Sequence, residues 1–144
     1  MIVRHKTREV RCGKLVIGGT QPIWVQSLTT TKTSDVEATK KEIRRMLDAE
    51  CEIIRVAVFD TADAQALGTI KSFLGDVPLV SDIHFNYKFA LQAIEQGVDK
   101  VRLNPGNVGG LAGRFDDVGK ERVKIVAEAA KNAGICMRVG VNSG

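Results

Sequence analysis

Residues 77–104 read VPLVSDIHFNYKFALQAIEQGVDKVRLN. VPLVSDIHF (77–85) is a short apolar run of strand character. A helix follows from about Asn86 to Gln96 and ends at Gly97, a natural residue for the left-handed turn that closes a helix. DKVRLN (99–104) is a second strand. A strand, a helix and a strand in so few residues imply parallel pairing through a right-handed crossover. The second strand nevertheless carries a permanent cation, Arg102, with Asn104 on the same side. Arginine recurs inside IIRVAVFD as Arg55 and inside CMRVGVNSG as Arg138.

The same rhythm extends in both directions. REVRCGKLVIGG alternates about Cys12-Gly13-Lys14 and reads as a small hairpin. PIWVQSL (22–28) is a strand. The helix after it shows a capping box, Ser34 with Glu37 three residues on, and apolar Val36, Ile43, Met46 and Leu47 at helical spacing. EIIRVAVF (52–59) is the next strand, and residues 62–74 form a helix with Leu67, Ile70, Phe73 and Leu74 on one stripe. Beyond DKVRLN, the glycine-rich PGNVGGLAGRFDD leads to a helix at about 118–133 that stops at Gly134, and ICMRVGV is the fifth strand. A closed eight-stranded barrel takes about 250 residues, whereas these 144 supply about five βα units. A final parallel strand with nothing beyond it would also leave a bare edge. The expectation is therefore the N-terminal part of a TIM (β/α)8 barrel, preceded by a short hairpin, spanning residues 1–144, rather than a complete doubly wound domain.

Composition narrows the function. Hydrophobic residues make up 44% and charged residues 26% of the chain, and the net charge is +4 without a basic block. That argues against nucleic-acid binding. No run approaches the roughly 18 apolar residues of a membrane span, and the basic N-terminus lacks a secretory core. Three cysteines, Cys12, Cys51 and Cys136, are odd in number and lack C-x-x-C spacing. They argue against a disulfide framework and a metal clip, and they fit a reducing, cytoplasmic setting.

Side chains alternate along a strand, so parity decides which residues share a face. Arg102 and Asn104 share one; Arg138, Gly140 and Asn142 share one; so do Val80, Asp82 and His84, and so do Arg55 and Ala57. The apolar partners should pack under helices, turning the polar set into a cup near the C-terminal strand ends, where α/β enzymes keep their sites. Three guanidiniums there repel one another, and Asp82 alone cannot balance them. A diphosphate can, because arginine offers a planar fork to phosphate. Each residue also has a plainer reading. Arg55 with Asp82 makes a structural ion pair, His84 a rim histidine, and Asn104 and Asn142 turn braces. The loop 105–113 either cradles phosphate through its backbone or merely connects.

Together VQSLTTTKTSDVEAT, IIRVAV, VSDIHFNYKFALQAIEQGVDKVRLNPGNVG and MRVGVNSG resemble the N-terminal barrel of the 4-hydroxy-3-methylbut-2-enyl diphosphate synthase family. The likeness runs from about Lys6 to the last residue. It implies an enzyme of the non-mevalonate isoprenoid pathway that reductively opens 2-C-methyl-D-erythritol 2,4-cyclodiphosphate to the linear diphosphate with loss of water. Electrons come from ferredoxin or flavodoxin through a 4Fe-4S cluster. By motif, Arg55, Arg102 and Arg138 match the diphosphate clamp, with Asn104 and Asn142 as further substrate contacts. Asp82 and His84 match companions at the reacting ring.

Two departures qualify the resemblance. The family's cluster ligands belong to a C-terminal domain that this chain lacks, and Cys12, Cys51 and Cys136 match none of them. Relatives also place glycine after the first helix, where Glu50-Cys51 stands here. The fragment alone is expected to be inactive, and a homodimer is implied for the full-length protein only. Two other readings stay open: a pterin-binding barrel transferase of the dihydropteroate synthase type, and a non-catalytic phosphate-binding barrel fragment.

Overall fold

The computed structural model describes residues 5–108 and 117–141. A hairpin, β1 (Val10–Cys12) and β2 (Leu15–Ile17), precedes the main sheet. Its two-residue turn places Gly13 at φ 58°, the positive value that a tight hairpin requires at its first central position. The main sheet contains β3 (Gln26–Leu28), β4 (Ile53–Val58), β5 (Leu79–Ile83), β6 (Lys100–Leu103) and β7 (Cys136–Val139). All neighbours are parallel, and their spatial order is their sequence order. A doubly wound sheet reverses direction at a switch point. This sheet never does, so it is an arc of a (β/α)8 barrel, as its strand spacing predicts.

Helices α1 (Val36–Asp48), α2 (Thr61–Leu74), α3 (Tyr87–Glu95) and α5 (Asp117–Ala133) cover one face, and a single turn, α4 (Pro105–Val108), follows β6. The core lies between them. Ile54, Val56, Val58, Leu79, Ile83, Val101 and Leu103 are all essentially inaccessible and join Ile43, Leu67, Ile70, Ala90, Ala93 and Val126 in one cluster. The parity that sequence assigns to these strands is the parity observed. The opposite face carries Arg55, Asp82 and Arg102.

Two local expectations differ from the structure. The cap of α1 is Asp35, whose carboxylate accepts from the Ala38 amide at 3.1 Å, and not Ser34. The Ser34 amide instead donates to Asp63 Oδ1 at 2.8 Å, tying the loop before α1 to the first turn of α2. Strand β3 is also shorter than the predicted 22–28. Pro22 has no donor to contribute, and the Val25 amide donates to the Glu52 carboxylate at 2.9 Å. Trp24 Nε1 donates to the Val16 carbonyl at 2.7 Å and holds this lead-in against the hairpin.

Three helix ends share one device. After α3, Gly97 N–H bonds to the Ile94 carbonyl and Val98 N–H to Ala93; after α5, Gly134 bonds to Lys131 and Ile135 to Ala130. This is the Schellman pattern, with a left-handed residue at its centre. Gly97 and Gly134 supply it at φ 83° and 68°. After α1 the same bonds run from Glu50 to Leu47 and from Cys51 to Met46, but the left-handed residue is Glu50, at φ 61°. A side chain there costs roughly 1–2 kcal/mol, while glycine loses about 0.5–1 kcal/mol through the freedom of the unfolded chain. Glu50→Gly is expected to stabilise by about 0.5–1 kcal/mol, read as a rise in denaturation midpoint at unchanged slope. A lower midpoint would mean that Glu50 has a favourable contact outweighing the strain.

Glu42 on α1 is buried and accepts from the Thr30 amide and hydroxyl and the Thr31 amide, at 2.8 to 3.0 Å. Burial pushes its carboxyl up, but these donors outweigh burial and hold it below the ordinary 4.5. Its stabilising effect is therefore complete above pH 4.5 and fades as pH falls through the lowered value. Glu42→Gln is expected to cost about 1–3 kcal/mol at pH 7 and much less at pH 3. Equal costs at both pH values in parallel denaturation curves would contradict the assignment.

Candidate functional site

The side chains on the open face meet at the C-terminal end of the sheet. Asp82 sits on the central strand β5, in register with Ala57 on β4 and Arg102 on β6. It is 1% exposed. Its Oδ1 accepts from Arg102 Nη1 at 3.1 Å. Its Oδ2 accepts from Arg55 Nε at 3.1 Å and from Arg55 Nη2 in a closer contact. Arg55 lies two residues before Ala57, so its long side chain reaches up the barrel wall to the carboxylate. Two guanidiniums thus share one buried anion, leaving one positive charge in excess.

His84, two residues past Asp82, brings Nε2 to 3.5 Å from Asp82 Oδ2, an ion pair when the imidazole is protonated. Its ring stacks on Phe59 from the end of β4, with centroids 4.8 Å apart and planes at 20°. Phe59 and Phe85 are both more than half exposed at this rim. Arg102 also has a seat that sequence reasoning missed. A Cβ on Gly140 would come within 3.0 Å of Arg102 Nε and Nη2, so the guanidinium lies flat over that glycine. No sequence signal beyond the shared parity of Gly140 and Arg138 pointed to it.

The remaining candidates are placed differently. Arg138 is in register with Arg102 but exposed at the sheet edge, and it makes no hydrogen bond or ion pair among the described residues. It lines a cavity of about 500 Å³ with Lys100, Gln26, Trp24 and His5, lower in the barrel than Asp82. Asn104 is buried, and its side-chain oxygen accepts from the Gly106 amide at 3.1 Å, an Asx turn that starts α4. Asn142 and loop residues 109–113 lie outside the described residues. No group of three His, Cys, Asp or Glu side chains among the described residues can hold a metal ion. Cys51 is buried and bonds to the Ile53 and Val25 carbonyls, and Cys12 and Cys136 belong to the opposite end of the arc. These cysteines do not fit a cluster site beside Asp82.

The GcpE TIM-barrel domain family matches residues 7–144. Proteins called "4-hydroxy-3-methylbut-2-en-1-yl diphosphate synthase (flavodoxin)" from Exiguobacterium sibiricum and Geobacillus kaustophilus are 54% and 51% identical over all 144 residues. A third from Bacillus anthracis is 50% identical over the same length. The chain spans 36% of the length of each. Among solved structures, a mandelate oxidase mutant with a monooxide FMN adduct superposes with a TM-score of 0.54 at 20% identity. That match covers 83% of this chain and 42% of that one, and it bears on the fold alone. With a match across nearly its whole length and half its residues shared with such relatives, the chain belongs to the GcpE TIM-barrel domain family.

Proposed function

We propose that this chain supplies the N-terminal part of the substrate-binding barrel of a 4-hydroxy-3-methylbut-2-enyl diphosphate synthase. The full-length enzyme would open 2-C-methyl-D-erythritol 2,4-cyclodiphosphate reductively, with two electrons entering and one oxygen leaving as water. The observation that carries the reading is the Arg55–Asp82–Arg102 bridge at the strand ends. Asp82 fixes both guanidiniums and leaves outward N–H groups and a surplus charge for a second anion. Arginine's fork suits the two phosphates of the ring.

The other residues take roles consistent with their places. Arg138, unpaired and next to Arg102 in register, swings onto the second phosphate. His84, fixed by the Phe59 stack, hydrogen-bonds a ring oxygen and supplies the proton that leaves with it as water. Asn104 starts α4 beside the same mouth, and Asn142 is assigned to the substrate by its motif alone. The electrons would come from flavodoxin, as the relatives' names indicate, with ferredoxin as the other donor. They would pass through a 4Fe-4S cluster held by the remainder of the full-length chain, in a homodimer. No helix described is long and apolar enough to cross a membrane, which accords with a cytoplasmic enzyme.

Calorimetric titration of the full-length protein with the cyclic diphosphate tests the reading. Arg102→Ala should weaken binding by about 1.5–3 kcal/mol, the scale of a charge-assisted contact. Unchanged affinity would remove Arg102 from the site. Gly140→Ala should weaken binding by about 1 kcal/mol, because its Cβ displaces the Arg102 guanidinium from its seat. Raised salt should reduce affinity only moderately, since the clamp is largely shielded.

A further inference from the structure

The end of the arc away from Asp82 brings together two thiols that sequence places far apart. Cys12 closes β1 and is wholly buried; Cys136 opens β7 and is half-buried, with its Sγ 3.7 Å from the Asp99 carbonyl. β1 packs on β7. The hairpin turn is seated so tightly that a Cβ on Gly13 would lie 2.9 Å from Asp99 Oδ1 and 3.3 Å from Pro78 Cγ. Both cysteines therefore lie against Asp99, Cys136 on its carbonyl and Cys12 next to the glycine packed on its carboxylate, which brings the two thiols together. Lys100 stands opposite Cys136 in the ladder and on the same face, buried, its Nζ 3.0 Å from Gln26 Oε1.

This setting divides the pair into two roles. The hydrogen bond from Cys12 brings the Cys136 thiol down to about 7, against burial and with help from the Lys100 ammonium. The same bond, with burial, drives Cys12 far above the ordinary thiol range. Cys136, half-buried and opposite the Lys100 ammonium, is the accessible nucleophile of the two, and Cys12, wholly buried, is its partner. Cys51 takes no part, since its sulfur is engaged by the Val25 and Ile53 carbonyls.

We propose that Cys12 and Cys136 form a reversible disulfide that fastens the N-terminal hairpin to β7. The oxidant is a small-molecule disulfide of the glutathione class. Cys136 Sγ attacks one of its sulfurs, that S–S bond breaks, and one small thiolate departs, leaving a mixed disulfide. Cys12 gives its proton to the departed thiolate and attacks Cys136 Sγ, expelling the second small thiolate. Two protein thiols are oxidised and one disulfide is reduced to two thiols. Without this bond the hairpin is held by packing, by the Trp24–Val16 hydrogen bond and by the Lys14–Asp76 ion pair. With it, a loop of about 120 residues is closed, which constrains the unfolded chain. The proposal rests on contacts at the hairpin end and does not depend on the diphosphate reading.

The test equilibrates the full-length protein in glutathione buffers of rising oxidised fraction, blocks free thiols and maps peptides without reduction. A linked peptide pair containing Cys12 and Cys136 should grow with the oxidised fraction and vanish with dithiothreitol. The thermal midpoint should rise by about 5–10 °C on oxidation, and that rise should be absent in Cys12→Ser, which instead carries one glutathione on Cys136. Recovery of both wild-type thiols in blocked form would overturn the proposal. So would a wild-type Cys136 that keeps its glutathione without linking to Cys12. The wild-type peptide map needs no variant, so a Cys12→Ser protein that fails to fold leaves the test standing.

Discussion

A carboxylate 1% exposed survives as a charge only where donors replace the water it has lost. Asp82 receives those donors from both neighbouring strands, Arg55 on β4 and Arg102 on β6. The dependence is mutual. Guanidiniums standing inside a barrel wall need an anion as much as the anion needs them, and removal of one partner from such a bridge typically costs about 3–5 kcal/mol. The balance is nevertheless uneven, one negative charge against two positive. A neutral bridge would only brace the sheet. This one braces the sheet and keeps a net positive charge, on which the proposed anion site rests. That is why it is read as a site.

The interior face is layered along the strand direction. The lower layer in register is Arg55, Val80, Lys100 and Cys136, in which Lys100 has its own partner in Gln26 and Arg55 reaches up to Asp82. One pleat higher lie Ala57, Asp82, Arg102 and Arg138; at the rim, His84 stacks on Phe59. The hairpin seats against the lower layer and the diphosphate reading concerns the upper one. The two ends can therefore carry separate chemistry on one sheet: charge at the mouth, thiols at the base. Arg138 belongs to the upper layer by register yet borders the lower cavity, because an unpaired edge side chain follows the solvent.

Much of this was legible in the chain. Period-two alternation in IIRVAV and KVRL is strong because each strand buries one face completely, and a one-residue slip would put arginine under a helix. The fold class and the shared face of Arg55, Asp82 and Arg102 follow from that. Other features are set by contacts that pattern does not encode. Ser34 and Asp35 are both good caps, and the choice went to Asp35 because Asp63, from a different helix, claims the Ser34 amide. The seat of Arg102 on Gly140 and the meeting of Cys12 with Cys136 each depend on how neighbouring strands are staggered, which the pattern within any one strand leaves open.

The helix ends fix how the chain enters three of the strands that carry arginines. A Schellman turn fixes the direction in which the chain leaves a helix and buries the residue that follows the left-handed one. Here those residues are Cys51 and Val98, both in the core. Arg55 stands four residues past Cys51 and Arg102 four past Val98, yet Arg55 pairs with Val80 and Arg102 with Asp82, so Arg55 starts two residues lower and reaches up to the carboxylate. Arg138 comes three residues past Ile135, the corresponding position after α5, and lies in register with Arg102; it does not join Asp82 because β7 is separated from β5 by β6. Glu50 occupies a left-handed position that elsewhere in this chain is glycine, so the geometry of the turn has been kept where its usual residue was not. The same turn thus precedes β4, β6 and β7, and at α1 it is kept at the cost of some strain at Glu50.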